Sequence, residues 1–279
     1  MVERSSDPRR SAALTVSADV RAAYATSAKA WSHGPEQVFA AMAAALVAQC
    51  PVRIDGATAV DVGTGSGVVA QVLAKAGASV VAIDDTLGML RLAQSRTGGR
   101  AAVGDVRALP LRAGSFDVVC AGFVLNHLDD PASALREMSR AARPRGAVLA
   151  STWDRGDAHP VKHVTEAALV RRGWSRPAWY ARLKDETTPL TDTTAGLSAV
   201  AGDAGLADID VRVVVVQIDD LQVDAMIAWR TNLPPNAPFV AALSATERTA
   251  LHAEIRAELG ADPGPLRLQM VTLSSRVAA

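Results

Sequence analysis

Cysteine is nearly absent, with two in 279 residues, Cys50 and Cys120, in no Cys-x-x-Cys pair and no Cys/His cluster. That excludes a disulfide framework and a zinc signature, and both thiols are expected to be buried and reduced. A surplus of charge is absent too, since 29 Lys and Arg balance 29 Asp and Glu. Neutralising phosphates needs excess basic side chains, so nucleic acid is not the expected partner. No apolar run reaches the ~18 residues of a membrane span, so no membrane partner is expected. The opening stretch MVERSSDPRRSAALTV has charges and no apolar core, so it is not a signal peptide. Residues 1–12 read as a disordered leader and the cytoplasm as the location. Aromatic residues are scarce at 4%, which makes their placement informative.

What the chain has is a hydrophobic share of 49% and a strand–helix rhythm. Ser17 can cap a helix through ADVRAAYATSAKAW, and EQVFAAMAAALVAQ from Glu36 reads as a second one ending before Pro51. Then ATAVDV is a short apolar strand, and Ser66 to Ala76 a helix closed by Gly77. SVVAID is a strand and Thr86 to Arg96 a helix. RAAVGD is a weak strand and FDVVCAGF a clear one. Pro131 opens the helix PASALREMSRAA, and Pro144-Arg145-Gly146 turns the chain into the strand AVLAST. Alternation with continuous apolar strands predicts an α/β fold on a mostly parallel sheet covered on both faces. The pattern loosens from about 153 to 190. A helix near 196–204, the strand IDVRVVVVQI, a helical stretch and the strand-like LRLQMVTLSS follow. One domain over 13–279 is expected, with a core at about 55–155 and lid segments at about 13–50, 155–190 and 221–260.

The chemistry centres on VDVGTGSG, residues 60–67. An NAD loop reads G-x-G-x-x-G, and here the third glycine position is Val68. No Lys-Ser or Lys-Thr follows, so it is not a P-loop. Asp61 lies in the strand just before the glycines, where a carboxylate repels a pyrophosphate and suits a cation. VDVGTGSG resembles the first motif, (D/E)xGxGxG, of class I S-adenosylmethionine-dependent methyltransferases, and the resemblance runs over roughly residues 58–155 with the motifs in the family's order. It implies a Rossmann-like seven-stranded sheet with an antiparallel last strand, helices on both faces and a helical lid. It implies S-adenosyl-L-methionine as cofactor, S-adenosyl-L-homocysteine as product and a small-molecule acceptor. The wording is similar to small-molecule enzymes of the quinone-biosynthesis and natural-product kind, with a monomer or homodimer expected.

The resemblance also carries residue roles. Asp61, Gly63, Thr64, Gly65 and Gly67 form the loop, whose glycines let backbone approach the cofactor. Asp84 ends the second strand, where a carboxylate can accept from both ribose hydroxyls; Asp85 next to it is the rival, and Asp84 is preferred. Gly104, Asp105 and Val106 match the adenine-contacting segment, with Asp105 accepting from the adenine amino group. Met89, Ala121 and Tyr24 complete the expected cofactor contacts. SFDVVCAGFVLNHLDDP and EMSRAARPRGAVLAST match the fourth strand with its loop and the turn into the fifth strand. The motif (N/D/S)PP(Y/F), which marks enzymes acting on nucleic-acid amines, is absent: the chain reads GFVLNH there.

Histidine supplies the candidate bases. His127 follows the fourth strand and can serve an oxygen or nitrogen nucleophile or shape the pocket. His33, in the N-terminal lid, is a second candidate. His159 and His163 are four apart on a possible helix, but no third ligand is evident, so no metal is expected. Trp153, Trp174, Trp179 and Trp229 all follow the fifth strand, with Tyr180 beside Trp179. They are read as an apolar pocket under a lid or as lid packing. Trp31, Phe123, His127, Trp153, Trp174, Trp179 and Tyr180 are the expected acceptor contacts. The expected reaction is in-line methyl transfer to a small organic acceptor, oxygen first, then nitrogen or carbon. The alternatives are a fold member catalysing another reaction such as a cyclisation, a non-catalytic module, and an NAD enzyme disfavoured by Val68 and Asp61.

Overall fold

The computed structural model describes residues 8–260 and 263–278, with side chains from 18 onward. Helix α1 (Pro8–Trp31) begins inside the segment read as a disordered leader, so residues 8–12 are helical; residues 1–7 lie outside the described residues. Helix α2 (Pro35–Val47) starts with Pro35 at its first turn, where the missing N–H costs nothing.

The core then alternates β1 (Thr58–Val62), α3 (Val68–Lys75), β2 (Ser79–Asp84), α4 (Leu87–Ala93), β3 (Ala101–Val103), β4 (Phe116–Gly122), α5 (Pro131–Ala141) and β5 (Ala142–Trp153). Asp130 caps α5 by accepting from Ser133 N at 3.0 Å. The expected turn at 144–146 is instead a bulge inside β5. The pairing with β4 jumps between Phe116 and Val118, and Arg145 takes a left-handed φ of 62°.

Helices α6 (Pro160–Arg171), α7 (Ala178–Arg182), α8 (Thr194–Asp203), α9 (Val223–Thr231), α10 (Ala237–Ala242) and α11 (Ala245–Leu259) surround the last strands, β6 (Asp210–Ile218) and β7 (Leu266–Arg276). A π turn at 183–187 and a 3-10 turn at 188–190 continue α7. The seven strands run in the order β3-β2-β1-β4-β5-β7-β6. All pairs from β3 to β5 are parallel, and β7 runs antiparallel to both β5 and β6. The Rossmann-like, mostly parallel sheet with an antiparallel last strand is therefore as expected.

Strand alternation feeds two apolar layers. Ala59, Val118, Cys120 and Leu149 face one layer with α2, α3 and Trp229 of α9. Val60, Val62, Val119, Ala121, Val148 and Ala150 face the other with α5 and α8. A third cluster joins Ala168 and Leu169 of α6, Trp174, Ile227 of α9, Val240 of α10, and Leu251 and Ile255 of α11. That cluster gives the C-terminal helices their own small core. Among the described residues, no helix is long and apolar enough to cross a membrane.

Candidate active site

The carboxyl ends of β1, β2, β3 and β4 open into one cavity of about 490 Å³, roofed by α1, α6, α7 and the end of α9. A ligand site beyond the strand ends, beside β1 and β4 where strand order reverses, is what an open α/β sheet provides. Of the eleven buried polar side-chain atoms without a partner among the described residues, six belong to residues lining this cavity: Asp61, Asn126, His127, Ser151, Thr188 and Arg230. Buried polar groups are normally satisfied, so this clustering marks a polar ligand site.

The glycine loop is built by its torsions. Gly63, Gly65 and Gly67 have φ of 64°, 54° and 85°, a region L side chains rarely adopt. A Cβ at Gly63 would meet Val124 Cγ2 at 2.4 Å, and one at Gly67 would meet Ala93 at 3.0 Å. At Gly65 a Cβ would meet nothing within 4 Å, so this glycine faces open cavity. Gly67 caps α3 and does not line the cavity; its role is to bring the helix against α4.

Asp61 is the buried anion of the loop, with 1% exposure. Its Oδ2 accepts from Thr64 Oγ1 at 2.6 Å and from Ala70 N, in the first turn of α3, at 2.9 Å. Its Oδ1 has no partner. Burial pushes its carboxyl up to about 7, against the pull of those two hydrogen bonds. A cation seated on Oδ1 relieves both the burial and the missing partner. Asp84 accepts from Gly65 N at 2.9 Å and from Thr86 N at 2.8 Å, which ties the first and second strand-end loops together. Burial raises it to about 6 despite these donors. Asp85 lines the same wall but is engaged by Arg21 of α1, whose Nε donates at 2.9 Å. Asp105 is gripped by Arg107 through two side-chain hydrogen bonds of 3.0 and 2.7 Å, which hold its carboxyl below the usual range. Met89, Gly104 and Val106 line the cavity beside these acids.

Helix α1 closes the cavity beside the glycine loop. Tyr24 Oη lies 3.4 Å from His127 Nε2, and Trp31 Nε1 donates to Ser66 Oγ at 3.2 Å. Burial lowers His127 to about 4, so it is neutral at physiological pH, and its Nδ1 is buried without a partner. Beyond it stands an aromatic wall. Phe123 meets Phe39 at 5.2 Å and Trp153 at 4.8 Å between ring centroids.

The structure thus brings together Tyr24, Trp31, Asp61, Gly63, Thr64, Gly65, Asp84, Asp85, Met89, Gly104, Asp105, Val106, Phe123, His127, Trp153 and Tyr180. Five expected residues lie elsewhere. Ala121 is fully buried in the apolar layer facing α5, one strand position from the cavity. Trp174 packs in the third cluster and donates to Pro235 O at 3.1 Å. Trp179 meets Tyr180 edge-on at 5.5 Å without lining the cavity. Gly67 is the cap already described. His33 hydrogen-bonds Lys29 O at 2.7 Å and lines a separate shallow groove, so it is not placed to act as a base. His159 caps α6 through its Nδ1, which accepts from Val161 N at 3.2 Å, while His163 lines the cavity. Among the described residues, no group of three metal-ligating side chains occurs.

Sequence reasoning missed the far end of the cavity. Lys162 pairs with Asp157, which is nearly inaccessible, and its Nζ lies 4.6 Å from the Trp153 ring centroid. Lys184 and Arg230 line the same end. Only Asn126 had a signal, its place next to His127 in GFVLNH.

Residues 60–150 match a family model described as a methyltransferase domain. A demethylmenaquinone methyltransferase of Renibacterium salmoninarum is 30% identical over 175 residues, covering 60% of this chain and 73% of that one. A ubiquinone biosynthesis O-methyltransferase of Methylococcus capsulatus is 38% identical over 113 residues, and there the chain spans 48% of the relative and the match 38% of this chain. Haemonchus contortus phosphoethanolamine N-methyltransferase 2, solved with S-adenosyl-L-methionine, superimposes with a TM-score of 0.53 at 18% identity, over 85% of this chain and 52% of that one. The YcgJ protein of Bacillus subtilis gives 0.52 at 16% identity, over 85% of this chain and 99% of its own, a likeness of fold. The unpartnered Asp61 Oδ1 and the empty space over Gly65 fit a cofactor with an ammonium group, and they lie inside the matched domain. The chain is a member of the class I S-adenosylmethionine-dependent methyltransferases, and S-adenosyl-L-methionine is its cofactor.

Proposed function

We propose that the chain methylates a small aromatic or quinone-like acceptor, with oxygen as the first choice of nucleophile, in quinone or natural-product metabolism. The observation that carries this is the division of one cavity. Its strand-end wall presents Asp61, Asp84 and Asp105, and its other wall presents the rings of Phe39, Phe123 and Trp153. Similarity to demethylmenaquinone and ubiquinone-biosynthesis methyltransferases supports the acceptor class.

In this reading Asp61 holds the cofactor ammonium, through Thr64 or directly on Oδ1. Asp84 accepts from the ribose, with Asp85 kept on α1 by Arg21. Asp105 takes the adenine amino group, between Met89 and Val106. Gly63 and Gly65 give backbone access, and Tyr24 covers the site. When bound, S-adenosyl-L-methionine supplies a methyl group on a sulfonium, already a good leaving group. The protein's larger task is alignment, which supplies about 7–11 kcal/mol in well-oriented systems. His127 contributes a neutral imidazole. With its proton on Nε2 and directed at Tyr24 Oη, its Nδ1 accepts the hydrogen bond of an acceptor hydroxyl. A group lowered to about 4 is a weak base at neutral pH, so it orients the nucleophile more than it deprotonates it.

The test is calorimetric titration with S-adenosyl-L-methionine, S-adenosyl-L-homocysteine and NADH, followed by a screen of catechols, hydroquinones, hydroxyaromatic acids and aromatic amines that reads S-adenosyl-L-homocysteine release. Micromolar binding of the first two with turnover on oxygen acceptors is expected. Binding without turnover on any acceptor removes the methylation reading, and binding of NADH alone removes the cofactor.

A further inference from the structure

The charges lining the cavity do not cancel locally. At the strand-end wall, Arg21 pairs with Asp85 and Arg107 with Asp105, which leaves Asp61 and Asp84 as carboxylates without a basic partner. At the opposite end the acids are already engaged. Asp157 holds Lys162, Asp192 holds Arg155 at 2.9 Å, and Glu166 holds Arg176 at 3.0 Å. Asp154 accepts from Gly156 N at 2.8 Å and has no ion pair. The cations left over are Arg230 and Lys184, neither of which has a carboxylate within 4.0 Å among the described residues. Both line the cavity.

Arg230 is the stronger of the two observations. Its Nε is buried and donates to nothing. Its guanidinium lies 5.2 Å from the ring centroid of Trp229, which is fully buried and holds the side chain in place. Lys184 stands on the π turn after α7, exposed at the rim. Tyr180 lines the same end, and Thr188 brings a hydroxyl without a partner. Burying an N–H donor of a permanently charged group without an acceptor is costly, and the penalty disappears when an oxyanion arrives. Lys162, already paired, lies across the face of Trp153 and stiffens the aromatic wall between the two charge zones.

Resting on the reading of this cavity as a methylation site, we propose that the acceptor is an aromatic acid. Its ring lies against Trp153 and Phe123, and its carboxylate is bound by the guanidinium end of Arg230 with Lys184, beside Thr188. Such an acceptor is the electrostatic complement of the cofactor, anion at one end of the cavity and cation at the other. It is also selected against its neutral analogues, because a neutral group leaves the Arg230 guanidinium without a counter-charge.

The experiment uses the full chain saturated with S-adenosyl-L-homocysteine. Hydroxynaphthoate and its neutral amide, hydroxynaphthamide, are titrated by calorimetry and by quenching of tryptophan fluorescence. A charge-assisted hydrogen bond in place of a neutral one predicts a preference for the acid of about ten-fold or more. In Arg230→Met the preference falls below about three-fold. Lys184→Gln, at an exposed position that should not disturb folding, lowers it part of the way. S-adenosyl-L-homocysteine affinity is expected to stay at the wild-type value in both. Equal affinity for acid and amide in the wild type overturns the proposal. So does a preference untouched by either substitution, and so does failure of both probes to bind a protein that has taken up S-adenosyl-L-homocysteine. If the wild type does not take up S-adenosyl-L-homocysteine at all, the methylation reading fails first, and the assignment of the acid falls with it.

Discussion

If Asp61 holds the cofactor ammonium, cofactor affinity depends on pH, and the size of the effect follows from the environment of Asp61. The free carboxyl sits at about 7 because it is buried, and its Oδ1 has no partner. The form that receives an ammonium is the carboxylate. Affinity therefore rises with pH through about 7, and binding below that value releases a proton. Taking the bound carboxylate as ionised throughout, moving from about pH 7.5 to about pH 5.5 weakens binding roughly 25-fold, about 2 kcal/mol. Asp84, raised to about 6, adds a smaller contribution of the same sign. The stability of the free protein runs the other way. A carboxyl raised above its unfolded value binds its proton more tightly in the folded state. That contribution is fully present below about pH 4 and is lost as pH rises through about 7. Saturating S-adenosyl-L-homocysteine should accordingly raise the melting temperature more at pH 7.5 than at pH 5.5. The assay is calorimetry in buffers of differing ionisation enthalpy, which counts protons, repeated on Asp61→Asn. The variant should bind about 10–100-fold more weakly at pH 7.5 and keep only the shallow dependence due to Asp84. A flat profile in the wild type, or a wild-type profile in Asp61→Asn, refutes the placement of the ammonium.

Three further substitutions separate the remaining roles. Gly65→Ala puts a methyl group into open cavity at a φ of 54°, so it should cost about 1–2 kcal/mol of stability while removing more than about ten-fold in S-adenosyl-L-homocysteine affinity; unchanged affinity in calorimetry places the cofactor elsewhere. Asp84→Ala should weaken binding by about 100-fold and Asp85→Ala by less than about ten-fold, because Asp85 is already engaged by Arg21; the reverse order in the same titration moves the ribose contact to Asp85. His127→Asn should lower kcat with S-adenosyl-L-homocysteine affinity kept within about two-fold, and the wild-type rate should show no inflection from this group above about pH 5.5, since burial holds it near 4. An inflection near pH 6.5 that vanishes in the variant would restore His127 as a general base.

The strand-end wall of the cavity was legible because it is made by backbone requirements. Positive φ at Gly63 and Gly65, an acid in β1 and an acid at the end of β2 are local features, each written in a few consecutive residues. The strands were legible for the same reason, since apolar runs such as SVVAID have one way to be buried on both faces. The expected residues that lie outside the cavity share a physical cause as well. Ala121 lies between the residues that feed the cavity and differs from Gly122 only by pointing to the other face of the sheet, and its neutral, apolar identity does not report that face. Trp174 and Trp179 were grouped with Trp153 by abundance after the fifth strand. Yet a tryptophan satisfied by a backbone carbonyl in a helical cluster looks the same in sequence as one lining a ligand wall.

The far end of the cavity was illegible because no local rule places it. Lys162 sits on α6, Lys184 on a π turn and Arg230 at the end of α9, and none belongs to a spacing that chemistry demands. Lys162 and Arg230 meet because Ala168 and Leu169 of α6 and Ile227 of α9 are packed into one cluster with Leu251 and Ile255 of α11. The polarity of the cavity is thus assembled by two different means. Its anionic end is fixed by the strand ends and the glycine loop. Its cationic end hangs on a small helical core that can be repacked without touching β1 or β2. Acceptor choice can drift by changes in α6, α9 and α11 while cofactor chemistry stays constant. In the proposed reading the carboxyl ends of the strands are the fixed half of the reaction, and the helices above them are the half in which specificity is set.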